Sequence, residues 1–470
     1  MSKDFEPRAY QALGIAHILD TPRGALHSGT GTGKTAMTLT ALDTLLLAGE
    51  SEKILALGPL RVARDVWVNE AAKWNHTKHL RISRVMGTEA QRKAALRVDA
   101  DIYVTNYEQL PWLVKYLGDK WPFDTVIADE ATKLKGFRGS IQRSKTGKRF
   151  IRADSGLRTG SLARVIHSRV RRVVELTGTP SPNGVKDLWG QMWFLDGGTR
   201  LGRTFGSFEE RWFQKARDGH TLVPLPHAFD EVTEKIVDVC LSIQAKDYFD
   251  LYEPIINTIE VQLPEKAMRQ YREMEREMFL EIENTGVEAF NAASRTIKCL
   301  QLANGAIYLD DTGSWTEVHK AKVEALESII EEAGGAAVLV AYKFKSDRER
   351  LLKHFKGAVD LATTAGMAAF KAGKATIGIG HPDSIGHGID GMQEVCNEIA
   401  FFGLDYNLET RQQIIERIGP TRQFQSGFDR PVFVHNIIAK GTLDELVLER
   451  VETKADVQQL VLDRFRRQYQ

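Results

Sequence analysis

The segment Ser28–Thr35 reads SGTGTGKT, and downstream the apolar run Val126–Ala128 ends in the acidic pair Asp129–Glu130. A glycine-rich loop between a strand and a helix, with carboxylates at the end of another buried strand, demands a parallel α/β sheet that brings both strand ends to one edge. Gly29, Gly31 and Gly33 let backbone N–H groups turn toward a polyphosphate without Cβ clashes, with Thr30 and Thr32 between them. Lys34 is placed to reach the β and γ phosphates, and the Thr35 hydroxyl suits Mg²⁺. Ser28 stands where the strict pattern has glycine, so the loop requires dihedrals that serine can adopt. Asp129 is expected to hold Mg²⁺ through water and Glu130 to orient and deprotonate an attacking water, whereas an acidic pair without the upstream loop reads as an ordinary helix cap. Together these segments point to an NTP-hydrolysing machine.

The chain's 470 residues exceed one core and suit two or three domains. Lys and Arg total 63 against 62 acids, a formal charge of +1, so no global field advertises a polyanionic partner and any nucleic-acid surface must be local. Cys240, Cys299 and Cys396 lie far apart without metal-ligand spacing, which argues for reduced thiols in a cytoplasm. No run approaches the roughly 18 apolar residues of a membrane span, and the first residues lack the apolar stretch of a secretion signal. His381 and His387 have no third ligand partner nearby in sequence, so a metal site there is not expected.

Short apolar runs alternate with helical patterns in two series. The first predicts strands at Gly24–His27, Ile54–Gly58, Ile102–Thr105, Val126–Ala128 and Val173–Leu176, with amphipathic helices between them such as Ala63–Trp74. The second predicts strands at Ala337–Ala341, Thr376–Ile379, Glu398–Phe402 and Val432–Ile438. Between them, Leu188 to Gly335 is mixed, with a loop-rich stretch over Gly197–Pro226 and a charged helical pattern over Glu265–Glu283. Trp189, Trp193 and Phe194 fall at helical spacing and read as core rather than as a base-stacking platform.

Further segments sit where chemistry on a phosphate requires them. The amide of Gln11 can pair with the N6 and N7 edge of adenine, and Tyr10 can stack or pack nearby. Pro59, within Gly58-Pro59-Leu60, and Thr105 and Asn106, within Val104–Glu108, end strands and open helices, offering hydroxyls, amides and helix N-termini to a phosphate backbone; plain strand-to-helix caps are the alternative. The hydroxyls of Thr177 and Thr179, in Leu176-Thr177-Gly178-Thr179-Pro180, can bond the acidic motif and relay the phosphate state. From Ala131 to Arg172 there are thirteen basic residues and a single acid, Asp154. Lys133, Lys145, Lys148 and Arg149 lie in this stretch, and 139–161 reads as an inserted basic loop whose phosphate contacts would be sequence-independent and salt-sensitive.

In this order the motifs resemble those of superfamily 2 helicase-like ATPases, most closely the Swi/Snf-type branch with its compact phage-encoded members. The resemblance is carried by Arg8…Tyr10-Gln11, GTGTGKT, Asp129-Glu130-Ala131-Thr132 with Lys133 and Lys135, Leu176–Asn183 (LTGTPSPN) and the LWGQMWFL segment after it. In the second half Ala341–Phe344 looks like the fourth motif, and Ser384–Asp390 is similar to the fifth. Phe402–Asn407 looks like the Phe-Asp-x-x-Trp-Asn stretch with Tyr406 in place of tryptophan, and Gln413–Gln423 resembles the sixth motif. The family implies an α/β chain of two RecA-like parallel-sheet lobes with helical and basic insertions: residues 1–230 as the P-loop lobe, and 231–470 as the helicase lobe with a helical insertion near 260–330.

It also implies ATP and Mg²⁺ as ligands, Gly388 and Asp390 near the nucleotide, Gln413 in coupling, and Ser384 on the nucleic acid. The sixth motif departs from the commonest pattern, since Pro420 stands where a second arginine is usual. Two registers compete: Arg417 is the arginine finger, or Arg417 binds phosphate while Arg422 reaches the γ-phosphate. The resemblance implies a double-stranded-DNA translocase or remodeller in a cytoplasm, the host's if phage-encoded. The alternatives are a strand-unwinding DNA or RNA helicase, and a nucleotide-gated clamp without turnover.

Overall fold

The computed structural model describes every residue except 1, 30, 144–148, 153–156, 217–221, 245–246, 249–250, 286–288, 310–312, 386–390 and 467–470. Two compact units divide the chain: Met1–Tyr248 with Asp456–Gln470, and Phe249–Ala455.

The first unit contains β1 (Arg23–Ser28), β2 (Ile54–Gly58), β3 (Ile82–Arg84), β4 (Ile102–Asn106), β5 (Thr125–Asp129), β6 (Ser140–Arg143), β7 (Arg149–Arg152), β8 (Arg172–Thr177), β9 (Phe213–Lys215), β10 (Leu222–Pro224) and β11 (Cys240–Ile243). Seven of them form one parallel sheet in the order β11-β1-β8-β5-β2-β4-β3. Strands β2, β4, β5 and β8 are buried at every residue, as a parallel sheet covered on both faces requires. Trp189, Trp193 and Phe194 are core residues, packed with Phe137 on the helix Leu188–Asp196.

The second unit contains β12 (Ile255–Val261), a hairpin of β13 (Ala306–Tyr308) and β14 (Trp315–Glu317), and β15 (Ala337–Ala341), β16 (Val359–Asp360), β17 (Ile377–Gly380), β18 (Cys396–Phe401) and β19 (Phe433–Ala439). Its parallel sheet has the order β12-β19-β18-β15-β17-β16. Leu339 and Ala341 join one apolar cluster and Val338 and Val340 another, so the continuous apolar run of β15 supplies both faces by strand alternation.

The apolar runs located the central strands, and the structure adds four at or near the sheet edges: β3, β11, β12 and β16. β3 and β16 are too short to carry much apolar signal and β12 is exposed along much of its length, whereas β11 is a fully buried strand of four residues. The loop-rich stretch contains the helix Phe205–Trp212, opened by Thr204 accepting from Ser207 N, and the antiparallel pair β9–β10. Within the expected basic loop, β6 and β7 pair antiparallel, and Leu157 begins a helix that runs to Ile166.

Candidate nucleotide and phosphate site

The first unit gathers the glycine loop and the acidic pair at neighbouring strand ends. β1 runs beside β8 and β8 beside β5, with His27 aligned to Thr177 and Leu176 to Asp129. The glycine loop leaves β1 and opens the helix Lys34–Leu47. Gly31 and Gly33 have φ of 86° and 89°, a left-handed conformation that disfavours any residue with a Cβ. Ser28 needs no such freedom, because it is the last residue of β1. Its Oγ lies 2.6 Å from Thr32 Oγ1, and Thr32 Oγ1 donates to Gly29 O at 2.8 Å, so serine and threonine tie the loop's base together. Thr30 falls outside the described residues. Lys34 and Thr35 begin the helix, half-buried.

Gly178 shows how closely the Thr177–Pro180 loop approaches. A methyl group there would lie 3.3 Å from both Gly29 Cα and Ser28 O, and 3.7 Å from Lys34 Nζ. Thr177 is fully buried, its Oγ1 accepting from Thr179 N at 3.0 Å; the buried Thr179 hydroxyl makes no hydrogen bond. Neither hydroxyl is bonded to the acidic pair.

Asp129 ends β5, buried, and its Oδ1 accepts from Glu130 N at 3.1 Å. Burial, then the charge of Glu130, push its carboxyl up to about 7, and Lys34 pulls the other way. Glu130 has φ 57° and ψ 57°, the one non-glycine residue with positive φ among those described. Backbone strain of this kind in a non-glycine residue clusters at functional positions. Tyr107 braces the strand end by donating to Asp129 O at 3.0 Å.

Gln11 ties the first helix to the loop. Its Nε2 donates to Thr32 O at 3.0 Å and its Oε1 accepts from Arg8 N at 3.0 Å. Tyr10 is 1% exposed, so it packs and does not stack on a ligand.

The expected track residues divide. Pro59 is half-buried and Lys133 exposed. Thr105 is fully buried and its hydroxyl donates to Val85 O at 2.8 Å, which removes it from any phosphate backbone; strand pairing inside the sheet outweighs the strand-end position assumed for it. Asn106 is also buried, its amide donating to Glu108 Oε2 at 2.6 Å. Lys145 and Lys148 fall outside the described residues, and Arg149 begins β7.

Several cations of the basic stretch have structural partners. Arg138 lies 3.6 Å from the Phe205 ring centroid and donates to Lys135 O and Phe137 O. Arg158 pairs with Glu108, Arg169 with Asp119, Arg171 with Asp124, and Arg172 with Glu50. The charge excess is therefore smaller at these positions than the sequence count suggests.

In the second unit Ser384 donates to His381 O at 2.7 Å in the short helix Pro382–Ile385. Gly388 and Asp390 fall outside the described residues. Gln413 and Arg417 lie on the helix Leu408–Ile418, Gln413 buried, and Arg422 lies on a separate helix, Pro420–Gln425. Gly419 is extended and Pro420 starts the new helix, so Gly-Pro breaks the sixth motif between the two arginines.

Sequence reading assigned nothing to Asn304, which sits in a buried polar network. Fully buried Lys322 Nζ lies 2.6 Å from Asp444 Oδ2 and donates to Asn304 Oδ1 at 2.8 Å; Asn304 Nδ2 donates to Asp347 Oδ2 at 2.9 Å. Asp347 also accepts from Phe344 N at 2.9 Å, holding the turn of the fourth motif. No local motif marks such a network, because its members come from distant segments.

A family profile described as the SNF2-related domain matches residues 18–305. The chain belongs to the SNF2-related family. Within superfamily 2 this is the Swi/Snf-type branch. The SNF2-related chain is 48% identical over 472 aligned residues to putative protein p41 of Acyrthosiphon pisum secondary endosymbiont phage 1, covering 99% of this chain and 100% of that protein. It is 28% identical to the mouse (Mus musculus) DNA excision repair protein ERCC-6-like over 44% of this chain, but spans only 16% of that protein. The Sulfolobus solfataricus SWI2/SNF2 ATPase core in complex with dsDNA is 19% identical with a TM-score of 0.44, covering 98% of this SNF2-related chain and 94% of that one.

Proposed function

We propose that this chain is an ATP-driven motor on double-stranded DNA, a translocase or remodeller that need not separate strands. The observation that carries the reading is the meeting of Lys34, Gly178 and Asp129–Glu130 at the ends of three adjacent parallel strands, β1, β8 and β5. A DNA track is supported by relatives named as a DNA excision repair protein and as a probable ATP-dependent DNA helicase.

The loop's backbone N–H groups and Lys34 bind the triphosphate, and Glu130 orients the attacking water and accepts its proton. The residues suit a divalent cation: a buried carboxyl pushed up to about 7 regains its charged form beside one, and Thr35 offers a hydroxyl oxygen. When bound, Mg²⁺ supplies charge neutralisation for the phosphates. A guanidinium from the second unit, Arg417 or Arg422, stabilises the developing phosphoryl charge, which makes turnover depend on both units. Gln413 and the Thr177–Pro180 loop couple nucleotide state to track.

The test is ATP turnover measured with single-stranded DNA, duplex DNA and RNA as separate activators, beside triplex displacement and strand displacement. Duplex stimulation with triplex displacement and without unwinding supports the reading. Unwinding of tailed duplexes makes the chain a helicase, and ATP binding without turnover makes it a clamp.

A further inference from the structure

Gln11 and Tyr10, the residues that the amino-acid order would set near a base, both have partners within the first unit. The Gln11 amide ties the first helix to Thr32 O, and the Tyr10 ring is buried. The ring that the site does expose belongs to Tyr248. It is 41% exposed and packs on Tyr10, with centroids 5.0 Å apart and planes tilted by 44°.

Position makes this pair relevant to the nucleotide. Tyr248 follows β11, which lies beside β1 with Ile243 aligned to Ser28, so the chain leaves the sheet at the edge where the glycine loop begins. The helix Ala9–Asp20 packs tightly over this junction, since a methyl group at Gly14 would lie 3.2 Å from Ile243 Cδ1 and 2.7 Å from Met37 Sδ. Gln244 is braced by Gln459, whose Nε2 donates to its Oε1 at 3.0 Å.

The acidic pair Asp129–Glu130 lies on the β8–β5 side of the loop and fixes the end that takes the reacting phosphate. A nucleotide held by its phosphates over Lys34, with its reacting phosphate toward the acidic pair, directs its base away from that side, toward β11 and the start of the Ala9–Asp20 helix, where Tyr248 packs on Tyr10.

We propose that Tyr248 is the base-binding residue of the nucleotide site: a purine stacks on its ring, with Tyr10 as the buried wall behind it. This rests on the ATP reading above and adds the base preference. Stacking recognises an extended π-face more than a hydrogen-bonding edge, so it favours purines over pyrimidines and separates adenine from guanine only weakly.

The experiment compares full-length wild type, Tyr248→Ala and Tyr248→Phe for ATP turnover, and for inhibition by inorganic tripolyphosphate, which lacks a base. Tyr248→Ala should raise KM for ATP about tenfold with kcat nearly unchanged, Tyr248→Phe should restore it, and the tripolyphosphate inhibition constant should not move. An unchanged KM in Tyr248→Ala overturns the proposal, as does equal weakening of ATP and tripolyphosphate, which would mean that the ring only supports the loop. If wild type proves not to turn ATP over, the motor reading fails separately. Equilibrium binding of ATP against tripolyphosphate then decides on Tyr248 by the same comparison.

Discussion

At the residue scale, two glutamates carry opposite kinds of cost. Glu130 is held at positive φ, which costs a side chain about 1–2 kcal/mol relative to glycine. Glu130→Gly should therefore stabilise the protein by about 1 kcal/mol in denaturant unfolding while abolishing turnover. Glu130→Gln should lower ATP turnover by on the order of 10³-fold and leave ATP binding intact; unchanged turnover would remove Glu130 from the chemistry. Glu175, in the middle of β8, is fully buried and neither of its oxygens makes a hydrogen bond. Burial pushes its carboxyl well above the ordinary glutamate range, so the folded state keeps a proton that the unfolded chain gives up. Stability therefore falls as pH rises above the ordinary glutamate pKa, by up to about 1.4 kcal/mol per pH unit. Glu175→Leu should remove that dependence, and unfolding at about pH 5 and about pH 8 should show its gain larger at the higher pH.

At the element scale, the contact between the Thr177–Pro180 loop and the glycine loop, and the β6–β7 hairpin, each have a consequence. Gly178 is confined by backbone atoms on the facing loop, so Gly178→Val should cost about 1–3 kcal/mol through displacement of that loop and should weaken ATP binding with it. Replacing residues 140–152 by a short Gly-Ser turn should reduce duplex affinity and flatten its salt dependence by about 0.9 log units per log unit of salt for each phosphate that the hairpin's cations had neutralised. An unchanged slope would make those cations a solvated surface. In the second unit, Lys322→Ala leaves Asp444 buried without its cation, and should cost about 3–5 kcal/mol in unfolding experiments.

At the scale of the whole molecule, the two registers of the sixth motif become a question for catalysis. Arg417→Ala and Arg422→Ala, measured separately, should differ: the finger should cost on the order of 10³-fold or more in ATP turnover, and the other arginine far less. The glycine loop, the acidic pair, the central strands of both sheets and the family were legible in the amino-acid order, because local conformation and strand alternation write themselves into contiguous residues. The folded chain alone decided that Thr105 and Asn106 turn inward, that Gln11 binds the loop, that Tyr248 meets Tyr10, and that Asn304, Lys322, Asp347 and Asp444 share a buried network. Such pairings join residues far apart in the chain. Whether a polar group faces water, a ligand or another strand depends on burial, and burial is set by the packing of elements that no single segment contains.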